Sequence, residues 1–312
     1  MNIALIEIYP NKKLDLSKAI DAHLRNSIII SKYLDADLLC IEKDFKIAIN
    51  KKYDVLILGY ASHYAPFQLI NKLIQNNPKA RKIVLSNEYN IASSIGGFKP
   101  YDLIANYEKS NSNKSIINQH FLNLNLLLAK CPNDATIEKK YDCIYYGTFR
   151  INRSNYFKKY LKEDIYLSTS PKNFKKYKHI GCNPKLITKL SWQNQKETLN
   201  LFKYQLYLED INTHTNFNHL ANRYYEAGFC NNVVFFDVNC RNTINKSELI
   251  YYKKQVEDYI VESYEDLQNK IKECNKDFNK HLATQKSWRM NEATARNKML
   301  EELKNIIYNG TK

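Results

Sequence analysis

The constraint that most narrows the fold is an alternation of short apolar runs with longer stretches of helical period. Tyr53-Asp54-Val55-Leu56-Ile57-Leu58-Gly59 is the clearest such run, unbroken in its apolar residues and closed by a glycine. A strand that is apolar on both faces must be covered on both sides, as in a parallel sheet flanked by helices. Comparable runs stand at residues 3–8, 36–41, 55–60, 82–86 and 103–107, with helical periods at 16–34 and 66–77 between them. The first half therefore reads as an open, mostly parallel α/β sheet.

A less regular stretch over residues 116–140 contains the turn Cys131-Pro132-Asn133-Asp134. Beyond it the alternation restarts, with strands expected at 143–146, 165–168, 205–208 and 233–237 and helices at 155–161, 197–204 and 220–229. From residue 257 the period is helical, and the last run, 288–307, carries Met299, Leu300, Leu303, Ile306 and Ile307 at packing-helix positions. The expected fold is α/β: two doubly wound, Rossmann-like domains facing a central cleft, at residues 1–140 and 141–285, followed by a C-terminal helix at 286–312.

A chain of 312 residues with 44% hydrophobic and 12% aromatic side chains can build two cores and is not a disordered polymer. No apolar run reaches the roughly 20 residues that span a bilayer, so no membrane contact is expected. The opening Met1-Asn2-Ile3-Ala4-Leu5-Ile6-Glu7-Ile8 reads as a first strand and lacks the basic region and cleavage site of a signal peptide. The seven cysteines are scattered without a CxxC pair. That pattern suits structural thiols in the reducing cytoplasm and gives no support to a zinc site.

The formal charge of +15 is unevenly distributed. Residues 150–190 hold 11 basic and 2 acidic side chains, whereas 191–312 hold 17 and 16. A coding bias toward lysine would spread the excess along the chain, so a concentrated positive face points to a polyanion such as DNA. A solvated lysine-rich face is the alternative.

Arginine is scarce, with eight in the chain, and three of them fall in two motifs. The first, Tyr145-Tyr146-Gly147-Thr148-Phe149-Arg150-Ile151-Asn152-Arg153, is a buried strand running into a glycine turn and then a helix. Gly147 permits close backbone approach and Thr148 supplies a hydroxyl. Arg150 and Arg153 add charge-assisted donors, beside a helix N-terminus that itself favours an anion. The second, Asn222-Arg223-Tyr224-Tyr225-Glu226-Ala227-Gly228, places Arg223 and Glu226 on one helix face. Together they offer three guanidinium groups for a diphosphate and a carboxylate for a ribose hydroxyl pair, the requirements of a nucleotide-sugar donor. The plainer alternatives are surface arginines opening a helix and an i,i+3 ion pair.

These motifs carry a resemblance. Tyr146-Gly147-Thr148-Phe149-Arg150 with Arg153, and Arg223-x-x-Glu226 ahead of the strand ending at Asp237, resemble the C-terminal domain of the DNA β-glucosyltransferases of T-even bacteriophages, over residues 141–237. The Arg150–Arg153 spacing is shorter, and the loop between Asp210 and Arg223 longer, than that family's pattern. The resemblance implies the GT-B fold, with the first domain binding acceptor DNA, the second binding the donor, and the last helix crossing back onto the first domain. It implies an inverting transfer of glucose from UDP-glucose to a hydroxymethylated pyrimidine, such as 5-hydroxymethylcytosine, in double-stranded DNA. Arg150, Arg153 and Arg223 would hold the diphosphate and Glu226 the ribose, with a divalent ion, Mg2+ or Mn2+, for which no ligand cluster is apparent in the sequence.

The family's catalytic Asp follows a strand of the form found here as Ile83-Val84-Leu85-Ser86-Asn87-Glu88, which makes Glu88 the expected general base. Asp102, Glu108 and His63 are reserves. A DNA acceptor further implies base flipping, with phosphate contacts from Lys158, Lys159, Lys162, Lys172, Lys175, Lys176 and Lys178. A monomer in the cytoplasm, that of the host cell for a phage-encoded protein, is expected. The rival reading is a glycosyltransferase of the same fold acting on a surface polysaccharide or a small acceptor. A DNA-binding or phage structural protein without chemistry is the non-enzymatic one.

Overall fold

The computed structural model describes residues 1–7, 22–59, 66–85, 103–106, 115–117, 138–191, 194–209, 220–246 and 253–309. The chain divides into two compact units, one of residues 1–14, 22–127 and 294–312, the other of residues 15–21 and 128–293.

The first unit is built on six strands, β1 (Ile3–Glu7), β2 (Asp37–Cys40), β3 (Val55–Leu58), β4 (Arg81–Leu85), β5 (Leu103–Asn106) and β6 (Ser115–Ile117). They lie in the order β2-β1-β3-β4-β5-β6, and every pairing is parallel. Helices α1 (Ala22–Leu34), α2 (Ile41–Ala48) and α3 (Phe67–Asn76) connect them. Side chains alternate between the two faces of a strand, and the two cores divide accordingly. Ile3, Leu5, Val55, Ile57, Ile83 and Leu85 face Ile30 and Leu34 of α1. Ala4, Ile6, Leu56, Leu58 and Val84 face Ile41 and Ala48 of α2 and Ile70 and Leu73 of α3.

The second unit repeats the plan with β7 (Tyr141–Tyr146), β8 (Tyr166–Ser168), β9 (Lys185–Ile187), β10 (Phe202–Tyr207), β11 (Val233–Asp237) and β12 (Ile260–Val261). The order is β12-β11-β10-β7-β8-β9, again wholly parallel. Its helices are α4 (Ser154–Tyr160), α5 (Pro171–His179), α6 (Gln195–Asn200), α7 (Asn222–Phe229), α8 (Arg241–Lys246), α9 (Lys253–Val256) and α10 (Tyr264–Lys276). The last, α11 (Phe278–Asn309), gives its start to this unit and its end to the first.

Strand β12 pairs only with Phe236 and Asp237, which leaves the outer edge of Val234 open. The buried amide of Gln285 on α11 fills that edge. It accepts from Val234 N at 2.8 Å and donates to Val234 O at 2.9 Å, so both backbone groups are satisfied. Further along α11, Leu300, Leu303 and Ile307 join the β1–β3–β4 face of the first core, and Arg81 donates to the Ile306 carbonyl. The doubly wound fold and the returning final helix are as expected.

Several local expectations differ. The helix expected to run to residue 204 stops at Asn200, and β10 already begins at Phe202. Ile41 opens α2 instead of closing a strand. The stretch from 257 is not continuously helical, because a single tight turn at Glu257–Tyr259 leads into β12. Elements α2, β6, α5, β9, α8 and α9 have no counterpart among the expected ones. The described cysteines, Cys40, Cys143, Cys182, Cys230, Cys240 and Cys274, are buried thiols, in keeping with a structural role. Among the described residues no helix is long and apolar enough to cross a membrane.

Candidate functional site

In the second sheet the chain leaves β7 toward β8 on one side and later returns as β10 on the other. A ligand crevice in an open parallel sheet opens at such a reversal, outside the carboxyl ends of the two strands. Those ends are Tyr146-Gly147 after β7 and Leu208-Glu209 after β10. The features below gather there.

Strand β7 ends in four buried residues, Cys143 to Tyr146. The glycine turn expected next is not formed: residues 147–150 leave the strand without a turn or bend, and Arg150 is extended at φ −130° and ψ 129°. Alternate side chains therefore face opposite ways. Phe149 turns inward onto Tyr177, an edge-on contact at 4.9 Å, and onto Phe157 at 5.9 Å. Thr148 and Arg150 are left exposed. Arg153 closes the single tight turn Ile151–Arg153 and is buried. Helix α4 has only 7 residues, so the anion preference of this segment rests on side chains more than on its dipole.

Arg153 and Arg223 meet on one carboxylate. Glu209, 2% exposed, receives Nη2 of Arg153 on Oε2 at 2.5 Å and Nη2 of Arg223 on Oε1. The same Nη2 of Arg223 donates to the Leu208 carbonyl at 3.2 Å. The Arg223 guanidinium lies over the rings of Tyr145 and Tyr207, at 6.0 and 5.7 Å. Its backbone carbonyl accepts from the Gln205 amide at 2.9 Å, which ties the start of α7 to β10. A β-carbon on Gly147 would stand 2.8 Å from Arg223 Nη1 and 3.0 Å from the Tyr145 hydroxyl, so a side chain there would displace the tip of Arg223. The Tyr145 hydroxyl and Arg223 Nε are buried without a hydrogen-bond partner among the described residues.

Glu226, on the same helix as Arg223, accepts from the Tyr146 hydroxyl at 2.7 Å. Burial first, and then the neighbouring Glu226 charge, holds the Tyr146 phenol well above its usual pKa, so it stays a donor. Arg223 and Glu226 are thus each engaged by another element, Glu209 and Tyr146 respectively.

Of the residues expected at a donor site, the structure brings Gly147, Arg153 and Arg223 together, puts Glu226 beside Tyr146, and leaves Thr148 and Arg150 exposed on the segment that follows β7. Glu88 lies outside the described residues, as do His63, Asp102 and Glu108. The sequence placed Tyr145 and Tyr146 in the first motif without giving either a role, and gave none to Glu209. The available signal was positional: Glu209 stands two residues beyond β10, the strand that neighbours β7 across the reversal.

Lys158, Lys162, Lys172, Lys175, Lys176 and Lys178 are exposed, and the last four line α5. Ser170 caps that helix by accepting from Asn173 N at 3.3 Å. Lys159 differs from its neighbours. Its ammonium is 3.1 Å from the fully buried carboxylate of Asp237, which also accepts from the Tyr160 hydroxyl at 2.6 Å. Lys159 is half-buried and tied to the interior of the second unit through that ion pair. Among the described residues no group of three or more His, Cys, Asp or Glu side chains is placed to hold a metal ion.

Two parallel, doubly wound units and a final helix reaching back into the first define the GT-B fold. Solved structures that share it include T4 phage β-glucosyltransferase in complex with UDP and Mn2+, at a TM-score of 0.64 and 15% identity, covering 99% of this chain and 100% of that one. An α-glucosyltransferase in complex with UDP matches at a TM-score of 0.59 and 12% identity, over 98% of this chain and 99% of that one. The α-glucosyltransferase bound to UDP-glucose and DNA with an abasic site matches at 0.55 and 11%, over 98% and 99%. No protein-family model and no curated protein sequence matches the chain.

Proposed function

We propose that this chain is a UDP-sugar-dependent glycosyltransferase that moves glucose from UDP-glucose to the hydroxymethyl group of a modified pyrimidine in double-stranded DNA. The observation that carries the reading is the convergence of Arg153 and Arg223 beside Gly147, at the reversal of the second sheet. Two guanidinium groups at the site where an open sheet binds ligands suit a diphosphate. The fold shared with enzymes solved with UDP, UDP-glucose and DNA supports the same assignment.

In this reading residues 141–285 hold the donor. Arg150, Arg153 and Arg223 neutralise the diphosphate, Gly147 and Thr148 line its approach, and Glu226, steadied by Tyr146, takes the ribose hydroxyls. Residues 1–140 hold the DNA, and the target base is flipped out to reach the donor. Glu88 removes the proton of the hydroxymethyl group as its oxygen bonds to the anomeric carbon. The bond from that carbon to UDP breaks, and the departing diphosphate carries its charge onto the arginines. One displacement inverts the anomeric centre. Among the described residues no group of three or more His, Cys, Asp or Glu side chains is placed to cage Mg2+ or Mn2+, so either ion would be held largely by the diphosphate itself. The exposed lysines of α5, with Lys158 and Lys162, contact the phosphate backbone.

The test is mass spectrometry of hydroxymethylated and unmodified duplexes after incubation with UDP-glucose. One added hexose per modified base, and none on unmodified DNA, is expected. Glu88→Ala should keep the thermal shift produced by UDP and lose transfer, whereas Arg223→Ala should lose both. No transfer to any hydroxymethylated duplex, with UDP binding intact, would move the acceptor to a polysaccharide or small molecule.

A further inference from the structure

A carboxylate is an unexpected neighbour for arginines that are to hold a diphosphate. Glu209 is more deeply buried than either of them, and each of its oxygens takes a different guanidinium. Without an anion between them, Arg153 and Arg223 would repel, and neither fork would keep one orientation. Burial removes competing water, so the three groups hold a single arrangement.

The consequence falls on Arg223. Its Nη2 is taken by Glu209 and the Leu208 carbonyl, and its guanidinium carbon stands over the rings of Tyr145 and Tyr207. What remains on the outward side is Nη1, which approaches the space that a side chain on Gly147 would fill. The Nε–H lies on the Nη2 side of the group and is buried without a partner among the described residues. We infer that Glu209 is a positioning residue of the donor site, dividing its carboxylate between Arg153 and Arg223 to aim Nη1 of Arg223 at the diphosphate. The inference rests on the donor reading above and adds to it how the guanidinium is preorganised before the nucleotide arrives. The trio keeps one net positive charge, and a diphosphate needs no side-chain rearrangement to meet it.

The opposite role is a plug: a carboxylate lying where the phosphates must go, displaced when they bind. The two roles predict effects of opposite sign when the charge is removed. Binding of UDP and of uridine to the full chain can be measured by calorimetry and ligand-observed NMR, for wild type, Glu209→Gln and Glu209→Asp. The ratio of the two Kd values isolates the contribution of the diphosphate. A positioning role predicts that Glu209→Gln shrinks that ratio at least tenfold while the Kd for uridine stays within twofold of wild type. Glu209→Asp, which keeps the charge on a shorter arm, should lose less. A ratio that is unchanged or larger in Glu209→Gln overturns the inference in favour of a bystander or a plug. A parallel loss of UDP and uridine binding overturns it in favour of a general packing role. Should Glu209→Gln fail to fold, a wild-type ratio in Glu209→Asp overturns it, and a reduced ratio with uridine binding retained supports it. Wild type that binds uridine no more weakly than UDP would instead refute the diphosphate site, and with it this role.

Discussion

Gly147 shows how one missing side chain is written into the site. Its Cα stands where a methyl group would meet the tip of Arg223 and the Tyr145 hydroxyl. The arginine tip is the softer of the two, so Gly147→Ala should push Arg223 aside with little strain elsewhere. The expected result is a melting temperature within about 2 °C of wild type, corresponding to well under about 1 kcal/mol, with UDP bound at least tenfold more weakly by calorimetry. Gly147, Arg153 and Arg223 were readable in the sequence because scarce residue types recur in two short motifs. Glu209 was not, because a carboxylate at a strand end looks like ordinary solvent-facing chemistry until the neighbouring strand is known. Its burial with two guanidinium groups arises from pairing between β10 and β7, a contact between segments more than fifty residues apart in the chain.

Elements were legible in proportion to how completely they are buried. β1, β3 and β4 were anticipated closely, since a strand covered on both faces is a continuous apolar run. β9 escaped because it is a short edge strand with Lys185 and Leu186 exposed. α5 escaped because one side of it is lysine and only Tyr177 is fully buried, although Ser170 and Pro171 mark its start. The boundary between α6 and β10 was misplaced because Leu199 and Phe202, both buried, fit a helical spacing as well as a turn into a strand. At the other end of the chain, Leu303 on α11 is 4% exposed against the first sheet. Leu303→Ala should cost about 2–5 kcal/mol, measured as a lower urea midpoint for the transition of the first unit. An unchanged midpoint would show that the end of α11 contributes little to that core.

At the scale of the molecule, the +15 charge matters through its placement. Exposed lysines on α5 and at Lys158 and Lys162 form a cationic surface, with Lys159 paired to Asp237. If about six phosphates are neutralised, log K for duplex DNA should fall against log salt with a slope near −5. Each of Lys172→Gln, Lys175→Gln and Lys176→Gln should flatten that slope by about one unit, and Lys159→Gln should leave the slope alone while lowering thermal stability. Fluorescence anisotropy across a salt series measures the slopes, and a slope near zero in wild type would remove DNA from the proposal. Helix α11 carries a different kind of consequence. Because residues 278–293 serve one unit and 294–309 the other within an unbroken helix, the second unit is not a cassette with a clean seam. A chimera that exchanged everything after residue 140 with a relative would also replace Leu300, Leu303 and Ile307, and so graft a foreign plug into the hydrophobic interior of the half meant to stay native.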